Sequence, residues 1–301
     1  MNKKKIFMAG AGGMLGEAFY ETFKNEYDIL CTDKDVNSDW LSYLDFNDID
    51  KYRETVLKFN PDYLFHLGAI TDLEFSEKNK DLTFKTNTIS VEQACRISNE
   101  LNIPILYIST AGIFDGTIPI YNDYETPTPM GIYAKTKFYG EKHVLQNSNK
   151  SIVCRAGWMM GGGPKKDKKF INKICKQIEK GQNKLYIVND KMGTPTYTYD
   201  FARNTKLILE SNKYGLYNLV CGGLTSRLEV VKELVSILNR NSQTEIMEVD
   251  SDYFIDEYFA PRPPNERLVN YKLDLMGLNI MRDWKICLKE YIDKDFLHLK
   301  L

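Results

Sequence analysis

Short apolar runs alternate with segments of helical periodicity through the first half of the sequence. The predicted strands are Lys5–Ala9, Tyr27–Thr32, Tyr63–Leu67, Ile105–Ser109 and Ile152–Arg155. The predicted helices between them are Met14–Lys24, Ile49–Phe59, Leu82–Leu101 and Ile132–Gln146. Because strands and helices alternate, we expect one parallel sheet covered by helices on both faces, an α/β fold. The strands are continuous apolar runs, as is typical of strands buried on both sides.

The alternation ends after Arg155. The glycine-rich loop at 161–164 leads into the lysine cluster Lys165–Lys169, which we interpret as a solvated helix start, with a phosphate contact as the alternative. Further helices are predicted at Phe170–Glu179, Leu228–Leu238 and Trp284–Asp293, and loop and strand near Gly193–Tyr199 and Gly215–Cys221. A chain of 301 residues fits one large domain or two modest ones.

The charge balance limits the classes of partner. Lysine and arginine total 40 against 41 acidic residues, which gives a net charge of −1. This balance argues against a nucleic acid or an anionic membrane as partner. No apolar run approaches the roughly 18 residues that span a bilayer. The N-terminus is basic, but the apolar stretch after it breaks at Gly10, so we expect no signal peptide.

The cysteines are spread through the chain and form no metal-binding pattern. They are Cys31, Cys95, Cys154, Cys175, Cys221 and Cys287, and no CxxC occurs. The three histidines add no ligand spacing, so we expect no metal site. Widely spaced cysteines in apolar segments are typical of reduced thiols, which predicts a cytoplasmic protein.

A glycine-rich turn follows the first predicted strand. Gly10, Gly13 and Gly16 form a GxxGxxG spacing that also contains Gly12, Met14 and Leu15. Glycines there permit a tight turn and let backbone N–H groups approach a pyrophosphate, which the helix N-terminus also attracts. A lone motif of this kind is weak, but its place between a strand and a helix favours dinucleotide binding over a simple turn.

The residues after the second strand leave the choice of dinucleotide open. Asp33 can accept hydrogen bonds from the adenosine ribose hydroxyls, which favours NAD. Lys34 follows directly and could contact a 2′-phosphate, which favours NADP. Asp45 and Phe46 could line the adenine pocket or begin the next helix.

A YxxxK pattern and a hydroxyl supply the candidate catalytic groups. Tyr133 and Lys137 share one face of a predicted helix, where the lysine cation could lower the pKa of the phenol towards neutrality. Ser109 and Thr110 end the fourth predicted strand, at the edge where ligands of open α/β sheets bind. Together they predict hydride transfer to a carbonyl, with Tyr133 giving the proton, Lys137 supporting it and Thr110 polarising the carbonyl.

These residues resemble an extended short-chain dehydrogenase/reductase, in particular the dTDP-4-dehydrorhamnose reductase family, along nearly the whole chain. Further segments that carry the resemblance are Leu67–Glu74, Asn87, Arg155–Trp158, Asp190–Thr196, Arg262–Asn265 and Leu273. The resemblance implies a Rossmann-type doubly wound sheet with a smaller α/β substrate domain. The expected cofactor domain covers 1–157 plus about 190–222, and the substrate domain about 158–189 and 223–301.

The resemblance also implies roles for individual residues. The expected cofactor-binding residues are Gly10, Gly12, Gly13, Met14, Leu15, Gly16, Asp33, Lys34, Asp45, Phe46, Leu67, Gly68, Ala69, Asn87, Tyr133 and Lys137. The expected substrate-binding residues are Thr71, Glu74, Thr110, Ala111, Trp158, Thr196 and Arg262. Arg262 would meet a diphosphate, whereas its alternative is a surface arginine in a proline-rich loop. Glu74 could orient the sugar or face solvent, and Trp158 could line the pocket or belong to the core.

One departure from the family's pattern affects the sugar pocket. The usual segment Ser-Thr-Asp-Tyr-Val-Phe-Asp-Gly reads here with Ala111 and Gly112 in place of Asp-Tyr. A carboxylate and an aromatic ring are therefore missing, while Thr110, Tyr133 and Lys137 remain. We infer that the reductase chemistry is retained with a reshaped pocket.

The predicted function is the NADPH- or NADH-dependent reduction of a nucleoside-diphosphate 4-keto-6-deoxy sugar, in deoxysugar or cell-surface polysaccharide biosynthesis. One alternative is an epimerase or dehydratase of the same superfamily, although a dehydratase should carry an acid pair after Thr110. The other is a non-catalytic, NADP-binding regulatory subunit like that of methionine adenosyltransferase. The resemblance also implies a homodimer.

Overall fold

The computed structural model describes residues 3–301, so Met1 and Asn2, with which the predicted cofactor domain begins, lie outside the described residues. The strands are β1 (Lys5–Ala9), β2 (Asp28–Asp33), β3 (Leu41–Tyr43), β4 (Tyr63–His66), β5 (Ile105–Thr110), β6 (Ser151–Ala156), β7 (Trp158–Met160), β8 (Lys184–Val188), β9 (Met192–Gly193), β10 (Pro195–Tyr197), β11 (Gly215–Asn218), β12 (Thr225–Ser226), β13 (Glu245–Val249) and β14 (Asn265–Glu266).

The α-helices are α1 (Gly16–Phe23), α2 (Ile49–Phe59), α3 (Leu73–Lys78), α4 (Lys80–Phe84), α5 (Ser90–Glu100), α6 (Ile132–Asn147), α7 (Gly163–Lys166), α8 (Phe170–Glu179), α9 (Thr198–Glu210), α10 (Arg227–Ile237), α11 (Tyr271–Leu275) and α12 (Trp284–Asp295). A π-helical turn, Lys85–Ile89, joins α4 to α5, and short 3-10 turns lie at Ala111–Ile113, Ser251–Phe254 and Leu297–Leu299.

Seven strands form one parallel sheet in the order β11-β6-β5-β4-β1-β2-β3. Successive residues of β1 point to opposite faces, so Ile6 and Met8 join one buried cluster and Phe7 and Ala9 the other. Helices cover both clusters, and the predicted α/β class with a doubly wound parallel sheet is confirmed. The order reverses between β1 and β4, which is where such sheets bind ligands.

The predicted strands of the first half are confirmed to within about one residue at each end, and Lys5–Ala9 and the helix Ile49–Phe59 match throughout. The edge strand β3 was not predicted. The continuous helix expected at Leu82–Leu101 is wrong in detail, because the π-helical turn interrupts it at Lys85–Ile89. That turn carries Asn87, whose side chain bonds to another loop.

The second half builds its own buried cluster from α8, α10, α12 and the strands around them. The predicted helix Phe170–Glu179 matches α8, and α10 and α12 differ from prediction by one or two residues at their ends. The parallel pair β8–β13 was not predicted. Strand β11 joins the large sheet. Strand β10 pairs with β7 in a two-stranded sheet, and β9 lies between β12 and β14 in a three-stranded sheet. The domain boundaries stay a prediction.

Within residues 3–301, none of the helices has the length and apolar character to cross a membrane. The described part of the chain contains no group of three or more metal-ligating side chains. All six cysteines are free and buried.

Candidate active site

The glycine-rich turn lies at the reversal of strand order, between the ends of β1 and β4. Gly10 has φ of 77°, and a Cβ on it would lie 2.2 Å from the Cα of Gly68. A Cβ on Gly16 would lie 1.6 Å from the carbonyl oxygen of Ala11. Only glycine fits at these two positions. Gly13 differs, because the nearest atom to a Cβ there is 3.7 Å away. The Gly13 position is therefore open to a ligand.

Neighbouring loops hold the turn in place. Leu15 is buried at the start of α1. Met14 lies against the loop after β7, where a Cβ on Gly162 would approach its Cα to 3.1 Å. The Gly12 N–H donates to Asp33 Oδ2 over 2.9 Å. The turn is thus tied to the end of β2.

The candidate ribose-binding carboxylate is already engaged. Asp33 accepts the Gly12 N–H on one oxygen and the Asp35 N–H on the other, the latter over 2.9 Å. The Lys34 side chain is exposed. Both side chains lie at the end of β2, and the choice between NAD and NADP stays a prediction.

The loop after β4 forms the next wall of the cleft. Its half-buried residues Leu67, Gly68 and Ala69 follow directly on β4. A Cβ on Gly68 would lie 2.3 Å from the Phe46 ring, so loop and ring are in close contact. Asp45, beside Phe46, accepts the Asn47 N–H over 2.9 Å.

The Asn87 side chain holds the loop after β4 in place through two hydrogen bonds to Ile70. Its amide accepts the Ile70 N–H over 2.8 Å and donates to the Ile70 carbonyl over 2.9 Å. The same amide nitrogen donates to Thr136 Oγ1 over 3.2 Å, which links the loop to α6. The side chain is fully buried. Asn87 therefore positions the loop beside the cofactor pocket.

The structure brings the three candidate catalytic residues together. Thr110 is the last residue of β5, and Tyr133 and Lys137 lie one turn apart on α6. The Thr110 side chain lies close enough to the Tyr133 phenol to lower its pKa. The Thr110 hydroxyl accepts the Gly112 N–H over 3.2 Å. Lys137 is buried, with its ammonium 4.3 Å from the centre of the Tyr107 ring.

The sequence predicted that Lys137 lowers the pKa of Tyr133, but in the structure the pKa of Tyr133 is raised. Burial raises the pKa of Tyr133 to about 12, and the charge of Glu266 adds to the rise, while the interaction with the Thr110 side chain lowers it. Burial also lowers the pKa of Lys137 to about 7, against the charge of Glu141, which raises it. Desolvation disfavours each charged form and outweighs the pairing expected from the sequence. Tyr133 is therefore protonated at neutral pH.

Two glutamates that the sequence reading missed hold α6 in place. Glu77 of α3 accepts the Ile132 N–H over 2.7 Å at the N-terminus of α6. Glu141 of α6 forms a fully buried ion pair with Arg155 of β6, with Nη2 to Oε1 at 2.6 Å. An ion pair of this kind depends on both partners. These contacts set the position of Tyr133 and Lys137 relative to the sheet.

Most of the predicted substrate residues are engaged in hydrogen bonds within the protein. Arg262 forms a bidentate pair with Glu74, at 2.6 and 2.8 Å. Thr71 accepts two hydrogen bonds from the Lys169 ammonium, at 2.8 Å to its carbonyl and 3.0 Å to its hydroxyl. Thr196 is fully buried in β10, and its hydroxyl accepts the Gly157 N–H over 2.9 Å. Ala111 is buried beside Thr110.

Trp158 lies between two charged side chains that the sequence reading missed. Its Nε1 donates to Glu266 Oε2 over 2.7 Å. The Arg227 guanidinium lies 3.7 Å from the centre of the Trp158 ring and 4.4 Å from that of Phe170. Burial lowers the pKa of Arg227 to about 10. The only available signal for Glu266 was its place directly after the Arg262–Asn265 segment, and Arg227 had none.

Comparisons with known proteins agree with this arrangement. The sequence model of the RmlD substrate binding domain matches residues 4–296. A spore coat polysaccharide biosynthesis protein of Bacillus subtilis (strain 168) is 26% identical, over 96% of this chain and 97% of its own. The methionine adenosyltransferase 2 subunit beta of Danio rerio is 24% identical, over 92% of this chain and 86% of its own.

A solved structure is also similar to this chain along nearly its whole length. The dTDP-4-dehydrorhamnose reductase of Bacillus anthracis, determined in complex with NADP, superimposes with a TM-score of 0.88 and 27% identity, over 97% of this chain and 99% of its own. The family match covers nearly the whole described chain, including both sides of the cleft. The chain belongs to the dTDP-4-dehydrorhamnose reductase family.

Proposed function

We propose that this protein is an NAD(P)H-dependent reductase that converts the 4-keto group of a nucleoside-diphosphate 4-keto-6-deoxy sugar to a hydroxyl. The observation that carries the proposal is the placement of Thr110 at the end of β5 beside the Tyr133 phenol, with Lys137 one turn along α6, at the edge of the sheet that holds the glycine turn. The NADP bound to the Bacillus anthracis reductase supports the same cofactor class here. The polysaccharide role of the Bacillus subtilis relative supports a place in polysaccharide biosynthesis.

The cofactor would lie along Gly10–Gly16, with its ribose towards Asp33 and its adenine towards Asp45 and Phe46. When bound, the reduced nicotinamide supplies the hydride. The open position at Gly13 admits the pyrophosphate to the backbone N–H groups at the start of α1. Leu67–Ala69, held by Asn87, would form the wall on the other side.

Tyr133 then supplies the proton. A phenol with a pKa near 12 is protonated at neutral pH and can donate to the oxygen that gains charge as hydride reaches the carbonyl carbon. Thr110 binds the same oxygen through its hydroxyl and keeps the phenol aimed at it. The new C–H bond and O–H bond balance the loss of the C=O double bond. Lys137, protonated when anionic ligands fill the cleft, stabilises the phenolate that remains.

The test is oxidation of NADPH or NADH with dTDP-4-dehydro-L-rhamnose and a panel of other nucleotide 4-keto sugars. Tyr133→Phe should cut kcat by about 10²-fold or more while cofactor affinity stays nearly unchanged. Tyr139→Phe is the matched control, because Tyr139 is an exposed tyrosine of the same helix. Near-normal turnover by Tyr133→Phe would refute the assigned role.

A regulatory subunit is the second candidate, because the Danio rerio relative at 24% identity is a methionine adenosyltransferase subunit. Tight cofactor binding without turnover of any sugar in the panel favours that alternative. An epimerase or dehydratase is supported less, since the buried residues after Thr110 are Ala111 and Gly112 and not an acid pair. Cofactor that copurifies with the protein and persists through turnover would favour an epimerase.

A further inference from the structure

A carboxylate from a distant part of the chain lies against Gly112. A Cβ on Gly112 would lie 3.3 Å from Glu266 Oε1 and 3.5 Å from Thr110 Oγ1. Glu266, at the end of β14, therefore places a carboxylate oxygen against Gly112, two residues after the candidate catalytic threonine. The segment that departs from the family's pattern is thus the one that admits this carboxylate.

The Glu266 carboxylate is held in place by one of its oxygens only. Oε2 accepts the Trp158 indole N–H over 2.7 Å, which fixes the direction of the group. Within residues 3–301, the Trp158 bond is the one hydrogen bond of the Glu266 carboxylate, and no cation lies within ion-pair distance of it. The nearby Arg227 guanidinium lies on the Trp158 ring, and the charge of Glu266 raises the pKa of Arg227 against the larger effect of burial. Oε1 lies on the Gly112 side, 3.3 Å from the position of a Cβ on that residue.

The same carboxylate is electrically close to the proton donor. The negative charge of Glu266 raises the pKa of Tyr133, in addition to the larger effect of burial. A substrate whose carbonyl meets Tyr133 and Thr110 would therefore have its neighbouring carbon beside Oε1. An ionised carboxylate only accepts hydrogen bonds, so it selects a ligand group that donates one.

We propose that Glu266 is a specificity-determining residue, whose Oε1 accepts a hydrogen bond from the hydroxyl on the carbon next to the reacting carbonyl of the sugar. The inference rests on the proposed function and adds the group that the pocket recognises. For a 4-keto sugar that group is the 3-hydroxyl. A sugar without it leaves a desolvated carboxylate oxygen unpaired, and sites of this kind discriminate strongly against such analogues.

The experiment compares two substrates with three proteins. Wild type, Glu266→Ala and Glu266→Gln are assayed with dTDP-4-dehydro-L-rhamnose and with its 3-deoxy analogue. With the hydroxylated sugar, Glu266→Ala should lose about 10²-fold in kcat/KM and Glu266→Gln about 10-fold, since the amide oxygen is a weaker acceptor. With the 3-deoxy sugar, neither variant should lose more than about 3-fold.

Glu54→Gln is the control, because Glu54 is an exposed glutamate on α2 and its change should alter neither substrate. Gly112→Ala is a second probe of the same contact. Its added methyl would crowd Glu266 Oε1, so it should reduce kcat/KM for the hydroxylated sugar while having little further effect in a Glu266→Ala background, where the crowded atom is absent. The amide introduced by Glu266→Gln keeps an acceptor oxygen for the Trp158 indole, so this variant is expected to fold normally.

The outcomes separate the two proposals. Losses restricted to the hydroxylated sugar support the inference. Equal losses on both sugars show that Glu266 only supports Trp158, and they overturn the inference while the reductase proposal stands. No turnover by wild type with any sugar of the panel overturns the proposed function and the inference together.

Discussion

The two sides of the cleft are built from different kinds of contact. On the glycine side (Gly10–Gly16, Asp33, Phe46 and Leu67–Ala69), backbone atoms approach one another so closely that a Cβ would collide. On the charged side (Glu74, Trp158, Arg227, Arg262 and Glu266), side chains far apart in sequence meet in hydrogen bonds and cation–π contacts. Backbone contacts leave little freedom for substitution, whereas side-chain contacts can be exchanged. If the proposed function holds, we expect substrate selectivity to change on the charged side without loss of the fold.

The largest expected effect comes from a single methyl group on the glycine side. Gly10→Ala forces a left-handed residue to carry a Cβ that lies 2.2 Å from the Gly68 backbone. We expect the free energy of unfolding to fall by about 4 kcal/mol or more, from backbone strain and overpacking together. Urea denaturation followed by circular dichroism measures it.

Gly13→Ala is the matched control for this variant. A Cβ on Gly13 has no neighbour closer than 3.7 Å, so the unfolding midpoint should change little. Cofactor affinity should fall instead, because the methyl stands where the pyrophosphate would approach the backbone. Equal stability of the Gly10→Ala and Gly13→Ala proteins would contradict the steric account of the glycine side.

The next largest expected effect is a gain in stability when Lys137, which lies between the two sides, is replaced by an uncharged residue. Burial lowers the pKa of Lys137 to about 7, so the folded state binds its proton less tightly than the unfolded state. Stability should therefore rise with pH from about 7 to the ordinary lysine pKa near 10.4. Lys137→Met should raise the free energy of unfolding at pH 7 by about 2 to 3 kcal/mol while turnover is lost. A thermal midpoint unchanged or lowered at pH 7 speaks against this account.

Variants of the Glu74–Arg262 ion pair test whether residues of the charged side stabilise the fold through their contacts with one another. Burial would raise the pKa of Glu74, but the hydrogen bonds from Arg262 hold it below its usual range. Glu74→Gln and Arg262→Gln should each lower the free energy of unfolding by about 1 to 2 kcal/mol, and the double variant by no more than either alone. Additive losses would show two independent residues. A rise in KM for the sugar with Arg262→Gln alone would show that Arg262 also binds substrate.

The smallest expected effect is a pH dependence of the folding stability, caused by His66 of β4. His66 is buried between the Tyr52 hydroxyl at 3.1 Å and the Ser90 hydroxyl at 3.2 Å. Burial lowers the pKa of His66 to about 3, with the charge of Lys137 adding to the fall. The unfolded state therefore binds more protons below about pH 6.5, and stability falls as the pH is lowered towards 3.

Between pH 6.5 and 5.5, the His66 contribution should be about 1 kcal/mol. It is measured as the difference in pH dependence between wild type and His66→Gln in urea denaturation. Parallel curves for the two proteins over this range would falsify the assignment to His66.

The two sides also differ in how far the sequence predicted them. The strands of the first half, the glycine turn and the Tyr133–Lys137 spacing follow from local periodicity and from residues close together in the chain. The contacts of the charged side join residues as far apart as Trp158 and Glu266, which no local pattern relates. The tyrosine pKa could not be predicted either, because it depends on burial and not on the spacing to Lys137.

The π-helical turn at Lys85–Ile89 is another feature that the sequence did not predict. The helix at Leu82–Leu101 was predicted as continuous because its apolar spacing is helical throughout. The interruption at Lys85–Ile89 turns Asn87 towards the loop at Ile70, and only the distant loop gives a reason for it. Asn87 itself was found by resemblance, whereas its hydrogen bonds needed the structure.

The six buried cysteines have a practical consequence for studying this protein. Cys31, Cys95 and Cys154 lie in the clusters on the large sheet, and Cys175, Cys221 and Cys287 lie in the cluster of the second half. Burial raises the pKa of Cys31 to about 12 and of Cys95 to about 11, so thiol reagents must wait for the surrounding structure to open. Rates of alkylation, read out by mass spectrometry at each cysteine, would time the opening of the two halves separately without any added label.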